Sequence, residues 1–127
     1  MIGFLFGLVK SLRGQQAVIL VNGVGYTVSV PASQTPAIGK NIDLYIHTHV
    51  REDTLALYGF KDEVALDLFE NLISVSGVGP KSALAIISVA SAEAIKKAIE
   101  TTNLNFFTAV PGIGKKSAQK IIIDLKP

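Results

Sequence analysis

Residues 72–86 read LISVSGVGPKSALAI, and residues 107–121 read FTAVPGIGKKSAQKI. The two segments are copies of one pattern, with Gly77 matching Gly112 and Ile86 matching Ile121 at a constant offset. In each, an apolar helix end runs into Gly-Val-Gly or Gly-Ile-Gly, then lysine, Ser-Ala and a second apolar helix. Two glycines around one aliphatic residue suit a sharp turn between helices. They permit backbone conformations closed to other residues and close approach of another backbone, while Val78 or Ile113 plugs the hairpin into the core. The first amides of the following helix have no carbonyl before them to bond and form an anion site at a helix N-terminus. Lys81 in the first copy, and Lys115 and Lys116 in the second, are placed to neutralise a phosphate there. Ser82 and Ser117 sit at the helix starts, where a hydroxyl serves capping or phosphate contact. Lys120 completes a run of three lysines without an acid between residues 115 and 120. The pattern predicts a tandem helix-hairpin-helix whose phosphate-binding residues are Gly77, Val78, Gly79, Lys81, Ser82, Gly112, Ile113, Gly114, Lys115, Lys116, Ser117 and Lys120. Two such cradles suit the two strands of a duplex. Contacts of this kind carry no base information, so binding should be independent of sequence and sensitive to salt.

The same three letters recur at Gly23-Val24-Gly25, but there they lead into the alternating run Tyr26 to Val30 and read as a hairpin turn. That difference marks a change of period along the chain. Up to about Phe60 the apolar residues recur in twos: Phe4 to Val9, Ala17 to Val21, Tyr26 to Val30, Ile42 to Val50 and Thr54 to Phe60. Asn22-Gly23 is a strong signal for a two-residue turn with positive φ at both positions. Five short strands with one apolar face and no covering helices would expose their edges if flat, so a small barrel of the five-stranded OB type is expected. From Asp62 onward the period is helical. Asp62 caps a helix carrying Val64, Leu68, Phe69, Leu72 and Ile73, and helices follow over Lys81 to Ser88, Ala92 to Glu100 behind Ser91, Leu104 to Ala109 behind Asn103, and Lys115 to Leu125. The expected fold class is α+β with two domains: an OB-type barrel at 1–62 and an all-α tandem helix-hairpin-helix domain at 63–127.

Composition bounds the function. The chain has 127 residues, a net charge of +2 and no cysteine, so disulfides, thiolate metal sites and a cysteine nucleophile are excluded. A mean hydropathy of +0.44 raises the question of a membrane span. The longest uncharged stretch, Gly14 to Gly39, is broken by Gln15, Gln16, Asn22, Gly23, Gly25, Pro31 and Gln34, and no window approaches the ~20 apolar residues a spanning helix needs. MIGFLFGLVK lacks the basic start and cleavage site of a signal peptide, and a cytoplasmic location is expected.

Enzymatic readings fare poorly, and neither a catalytic residue nor a cofactor is expected. Glu52-Asp53 would need a further carboxylate or lysine to hold a catalytic metal, and adjacent strand residues face opposite ways. His47 and His49 share a strand face, but no third ligand is identifiable and a half-buried strand pair is the simpler reading. Ser82 and Ser117 have no base in their local sequence. No phosphate-binding loop of the ATPase type occurs, so ATP hydrolysis belongs to a partner.

The barrel beginning Met1-Ile2-Gly3, the Gly23-Val24-Gly25-Tyr26 turn, the stretch Val50-Arg51-Glu52-Asp53 through Leu57-Tyr58-Gly59-Phe60, and the two Gly-x-Gly hairpins together resemble the RuvA family of bacterial Holliday-junction-binding proteins. The likeness covers essentially the whole chain. It implies a non-catalytic homotetramer on which the four arms of a Holliday junction spread in an open, nearly planar arrangement, with one or two tetramers per junction. It implies partnership with the hexameric ATPase RuvB, which drives branch migration in recombination and repair, and with the resolvase RuvC. On its own, Glu52-Asp53 between two strands reads as a solvated hairpin tip; the resemblance makes the pair an acidic pin at the tetramer centre. The family carries arginines on the first strand where this chain has Phe4 and Phe6. It also continues into a third, RuvB-binding helical domain, which this chain, ending at Pro127, is expected to lack. The rival is a generic helix-hairpin-helix module that binds duplex within a repair nuclease or ligase.

Overall fold

Leu5, Val9, Ala17, Ile19, Val28, Val30, Leu44 and Ile46 fill the inside of a closed five-stranded barrel. A computed structural model describes residues 1–127, which form two compact units, Met1–Leu66 and Asp67–Pro127. In the first unit the strands are β1 (Phe4–Arg13), β2 (Gln16–Val21), β3 (Val24–Ser29), β4 (Asn41–Arg51) and β5 (Thr54–Phe60), with a 3-10 turn at Ala32–Gln34. Around the barrel they run β1-β2-β3-β5-β4 and close on β1. All neighbours are antiparallel except β3 and β5, which meet in a short parallel pair, Val28 with Leu57 and Ser29 with Tyr58.

Closure depends on β1 serving two neighbours. Its first half, Phe4 to Leu8, pairs with β4, and its second half, Leu8 to Arg13, pairs with β2 across a bulge between Val9 and Ser11. A bulge bends a strand and raises its twist, which turns one sheet into the other. Gly7 lies just before the bend. A methyl group there would meet the Leu20 carbonyl and lie 2.8 Å from a methyl of Val21, so the crossing requires glycine.

The expected barrel is present, with β1 longer than its apolar run. It continues from Val9 to Arg13 and ends in a two-residue turn, Gly14-Gln15, with Gly14 at φ 60. Lys10, Ser11 and Arg13 are exposed there, so apolar alternation gives no signal. The Asn22-Gly23 turn has φ 49 and 83, the two positive values that pair of residues implies. Val24 and Gly25 already belong to β3, and a methyl at Gly25 would come within 2.9 Å of Val18.

The helices are α1 (Glu63–Ile73), α2 (Pro80–Val89), α3 (Ala92–Glu100), α4 (Leu104–Thr108) and α5 (Lys115–Leu125). The sequence put a boundary at residue 62; the compact units divide between Leu66 and Asp67, inside α1. Leu72, Ile86, Ile95, Phe107 and Ile121 are completely buried, each contributing about 1.5–3 kcal/mol of burial. Asp62 caps α1 by accepting the Ala65 N–H at 2.8 Å, Ser91 caps α3 from Ala94 at 3.1 Å, and Asn103 caps α4 from Phe106 at 3.1 Å. α3 ends with Thr102 at φ 55, where the Asn103 N–H reaches back to the Ala98 carbonyl at 2.8 Å. That closure brings Asn103 directly into position to cap α4. No helix is long and apolar enough to cross a membrane.

Candidate nucleic-acid interface

Both Gly-x-Gly segments fold in the same way. Val75-Ser76-Gly77-Val78 is a turn closed by the Val78 N–H on the Val75 carbonyl at 3.0 Å, with Gly77 at φ 88. Val110-Pro111-Gly112-Ile113 repeats it with a 3.1 Å bond and Gly112 at φ 89. Positive φ at the third residue defines a type II turn, which favours glycine there and proline before it. Val78 and Ile113 are only 5% and 6% exposed, as expected of plugs.

The second glycine of each copy departs from the expectation that both serve the turn. Gly79 and Gly114 are extended, at φ −92 and −85, and are the N-cap residues of α2 and α5. Any residue adopts that conformation, and a methyl group at either position would have no neighbour within 4 Å. Nothing inside the protein requires glycine at these two positions.

The helix starts behind them are also bare. α1, α3 and α4 have side-chain caps, but α2 and α5 have none. The first intrahelical bonds are Ala83 to Gly79 and Ala118 to Gly114, both 3.0 Å, so the earlier amides point out of the helix end. In α5 these belong to Lys115, Lys116 and Ser117; in α2 they belong to Lys81 and Ser82, since Pro80 has no N–H. The side chains of Lys81, Lys115, Lys116 and Lys120 are exposed, and Ser82 and Ser117 are half-buried. A methyl group at Gly77 would lie 4.0 Å from Ser117 Oγ, so the first turn rests beside the start of α5. The fold therefore gathers the predicted residues of both copies on neighbouring ends of helices, each with the positive pole of its dipole outward.

Glu52 and Asp53 form the two-residue turn between β4 and β5, bounded by the Arg51–Thr54 pair. Neither has positive φ, so this is not a turn of the Asn22-Gly23 kind. Both side chains are exposed, and Thr54 Oγ1 donates to Asp53 Oδ1 at 3.2 Å. Beneath the tip, Val50 and Leu55 face each other across the strands and are 55% and 73% exposed.

His47 and His49 lie on one strand face, as the spacing requires, with ring centroids 6.0 Å apart. His49 Nε2 accepts a hydrogen bond from Arg51 Nε–H at 3.0 Å, and its ring stands edge-on to Tyr58. Burial, then the charges of Arg51 and His47, push its pKa below the ordinary histidine value. No group of three His, Cys, Asp or Glu side chains gathers to hold a metal. The sequence reading missed the Arg51–His49 contact, although spacing by two on a strand could have suggested it.

Residues 1–59 match the family model described as RuvA N terminal domain, and residues 69–127 match the SAM-like Helix-hairpin-helix tandem. The Holliday junction branch migration complex subunit RuvA of Acholeplasma laidlawii is 48% identical, over 97% of this chain and 66% of that protein. The subunit of the same name from Dehalococcoides mccartyi is 44% identical, over 99% of this chain and 66% of its own length. That of Caldanaerobacter subterraneus is 42% identical, over 99% of this chain and 69% of its own. The chain belongs to the RuvA family. It spans 66% of the length of the first two of these RuvA relatives. In this RuvA-family barrel the outward positions at the start of β1 are aromatic. Phe4 and Phe6 are 48% and 60% exposed, and the Phe4 ring stands edge-on to Tyr45 at 5.3 Å.

Proposed function

We propose that the chain binds Holliday junction DNA through its phosphate backbones, without reading base sequence, as a non-catalytic subunit of a branch migration complex. The relatives' shared name supports the junction and the complex. The observation that carries phosphate binding is the pair Gly79 and Gly114: uncapped N-caps, unconstrained in φ, with open space where a side chain would stand. Serine, aspartate or asparagine there would stabilise the helix by capping it, but would fill the space a phosphate needs. Glycine leaves the amides to the ligand. The contact residues on this reading are Gly77, Val78, Gly79, Lys81 and Ser82 of the first hairpin, with Gly112, Ile113, Gly114, Lys115, Lys116, Ser117 and Lys120 of the second.

On the same reading the active form is a homotetramer, and the Glu52-Asp53 turn is its acidic pin. Eight carboxylates around the crossover, two from each of four chains, repel phosphate in a confined site more strongly than in bulk water. The hairpins then supply affinity, and the pin disfavours continuous duplex across the centre. RuvB supplies ATP hydrolysis and RuvC the cleavage.

Competition between a four-way junction and linear duplex of equal length tests this reading. The protein should prefer the junction strongly, and Glu52→Gln/Asp53→Asn should keep junction affinity while relaxing discrimination. Equal affinity for junction and duplex would leave the generic duplex-binding module in its place.

A further inference from the structure

Arg51 is the cation nearest in sequence to the two carboxylates of the β4–β5 turn, and where its guanidinium lies sets the net charge the tip presents. Its Nε–H is bonded to His49 Nε2 at 3.0 Å, two residues back along β4. We infer that His49 is a positioning residue: by accepting this hydrogen bond it holds Arg51 along the strand, so that Glu52 and Asp53 face DNA without a compensating positive charge. The inference rests on the reading of that turn as an acidic pin.

The chemistry of imidazole makes the arrangement conditional. Nε2 accepts a hydrogen bond only when unprotonated, with the single ring proton on Nδ1. A protonated His49 has no acceptor and places a second cation against Arg51, which is then released toward the carboxylates beside it. The groups facing His49 are His47 and Arg51 on its own strand and the Tyr58 ring on β5; its direct cross-strand partner, Ala56, carries no charge. Partial burial opposes protonation most, followed by the electrostatic effects of Arg51 and His47. The sign follows from that direction. The bonded form persists above the folded-state pKa and is lost as pH falls through it. Because that pKa lies below the unfolded value of 6.5, the fold also loses stability as pH drops beneath 6.5.

The chain has two histidines, so a His47→Gln background leaves His49 as the sole titrating imidazole. In that background, nitrogen-15 NMR of the ring should show the Nδ1–H tautomer, with Nε2 coupled to the Arg51 Nε–H; an Nε2–H tautomer overturns the inference. Junction-over-duplex preference should fall about fivefold between about pH 8 and a pH below the His49 pKa that the same NMR titration reads, the effect of one unit charge at contact distance in water. His49→Gln offers an amide oxygen that cannot take up a proton and should keep the preference at both pH values. His49→Leu should have the reduced preference at both. A pH-independent preference with His49 present, or an unchanged preference in His49→Leu, sinks the inference alone, provided Glu52→Gln/Asp53→Asn relaxes discrimination. If the double variant does not, the pin reading fails and takes this inference with it.

Discussion

The two helix hairpins share a backbone and differ in charge. Their turns correspond residue for residue: Gly77 and Gly112 at φ 88 and 89, Val78 and Ile113 as buried plugs, Gly79 and Gly114 as extended N-caps. From Val75 to Ala83, the exchange of the Val78 plug for Ile113 aside, the differences sit at two positions. Ser76 stands where the second copy has Pro111, and Pro80 stands where it has Lys115. The first exchange is silent in geometry, since a type II turn accepts either residue before its glycine. The second changes what the helix start presents. α5 offers the amides of Lys115, Lys116 and Ser117 with the side chains of Lys115, Lys116 and, one turn on, Lys120, while α2 offers the amides of Lys81 and Ser82 with one lysine side chain. Shape in this motif is thus fixed by the glycine and the plug, and on the proposed phosphate-binding reading strength is set separately, by the lysines and the first amide of the helix.

The largest expected effect breaks the shared part. Ile113→Ala should cost about 2–5 kcal/mol, as removal of a buried isoleucine side chain does. Val78→Ala should cost less, by about 0.8 kcal/mol for the one carbon fewer it removes. Urea midpoints at unchanged slope measure both. A negligible cost at either position would mean that its turn holds without a plug.

The second effect addresses the part that differs. Lys115→Ala/Lys116→Ala should lower the slope of log affinity against log salt by about 1.8, and Lys81→Ala by about 0.9, if each lysine neutralises one phosphate of duplex-form DNA. Titrations of junction binding at several salt concentrations read this directly. Equal losses would make the two cradles electrostatically equivalent despite Pro80.

How much of this was legible in the sequence depended on which physical constraint set each feature. The Asn22-Gly23 turn, the plugs and the caps Asp62, Ser91 and Asn103 were readable because each depends on a local residue preference. The extension of β1 to Arg13 was not, because that end of the strand is held by pairing with β2 while Lys10, Ser11 and Arg13 remain exposed. The predicted set of phosphate-facing residues lies together at the two helix starts, but the unequal roles of the two glycines were hidden: Gly-x-Gly does not say which glycine needs positive φ. The Arg51–His49 bond escaped for a different reason. Two side chains on one face can meet, and only the rotamers adopted in the fold decide that they do.

The smallest effect tests whether the missing amide matters at all. Pro80→Ala restores an N–H at the first position of α2 without adding charge, so it separates the two ways in which the hairpins differ. The folded chain should lose about 0.4–1 kcal/mol, because proline restricts the unfolded state and its φ already suits a first helical position. Junction affinity should nevertheless rise, by about two- to fivefold, the net value of one modest hydrogen bond. The salt slope should stay where it was, since no cation has been added and no further counterion is released. A rise in slope would mean that the substitution had reoriented Lys81. Unchanged affinity would mean that the first cradle holds its phosphate through Lys81 and Ser82 without using the first amide. The inequality between the hairpins would then be one of lysines alone.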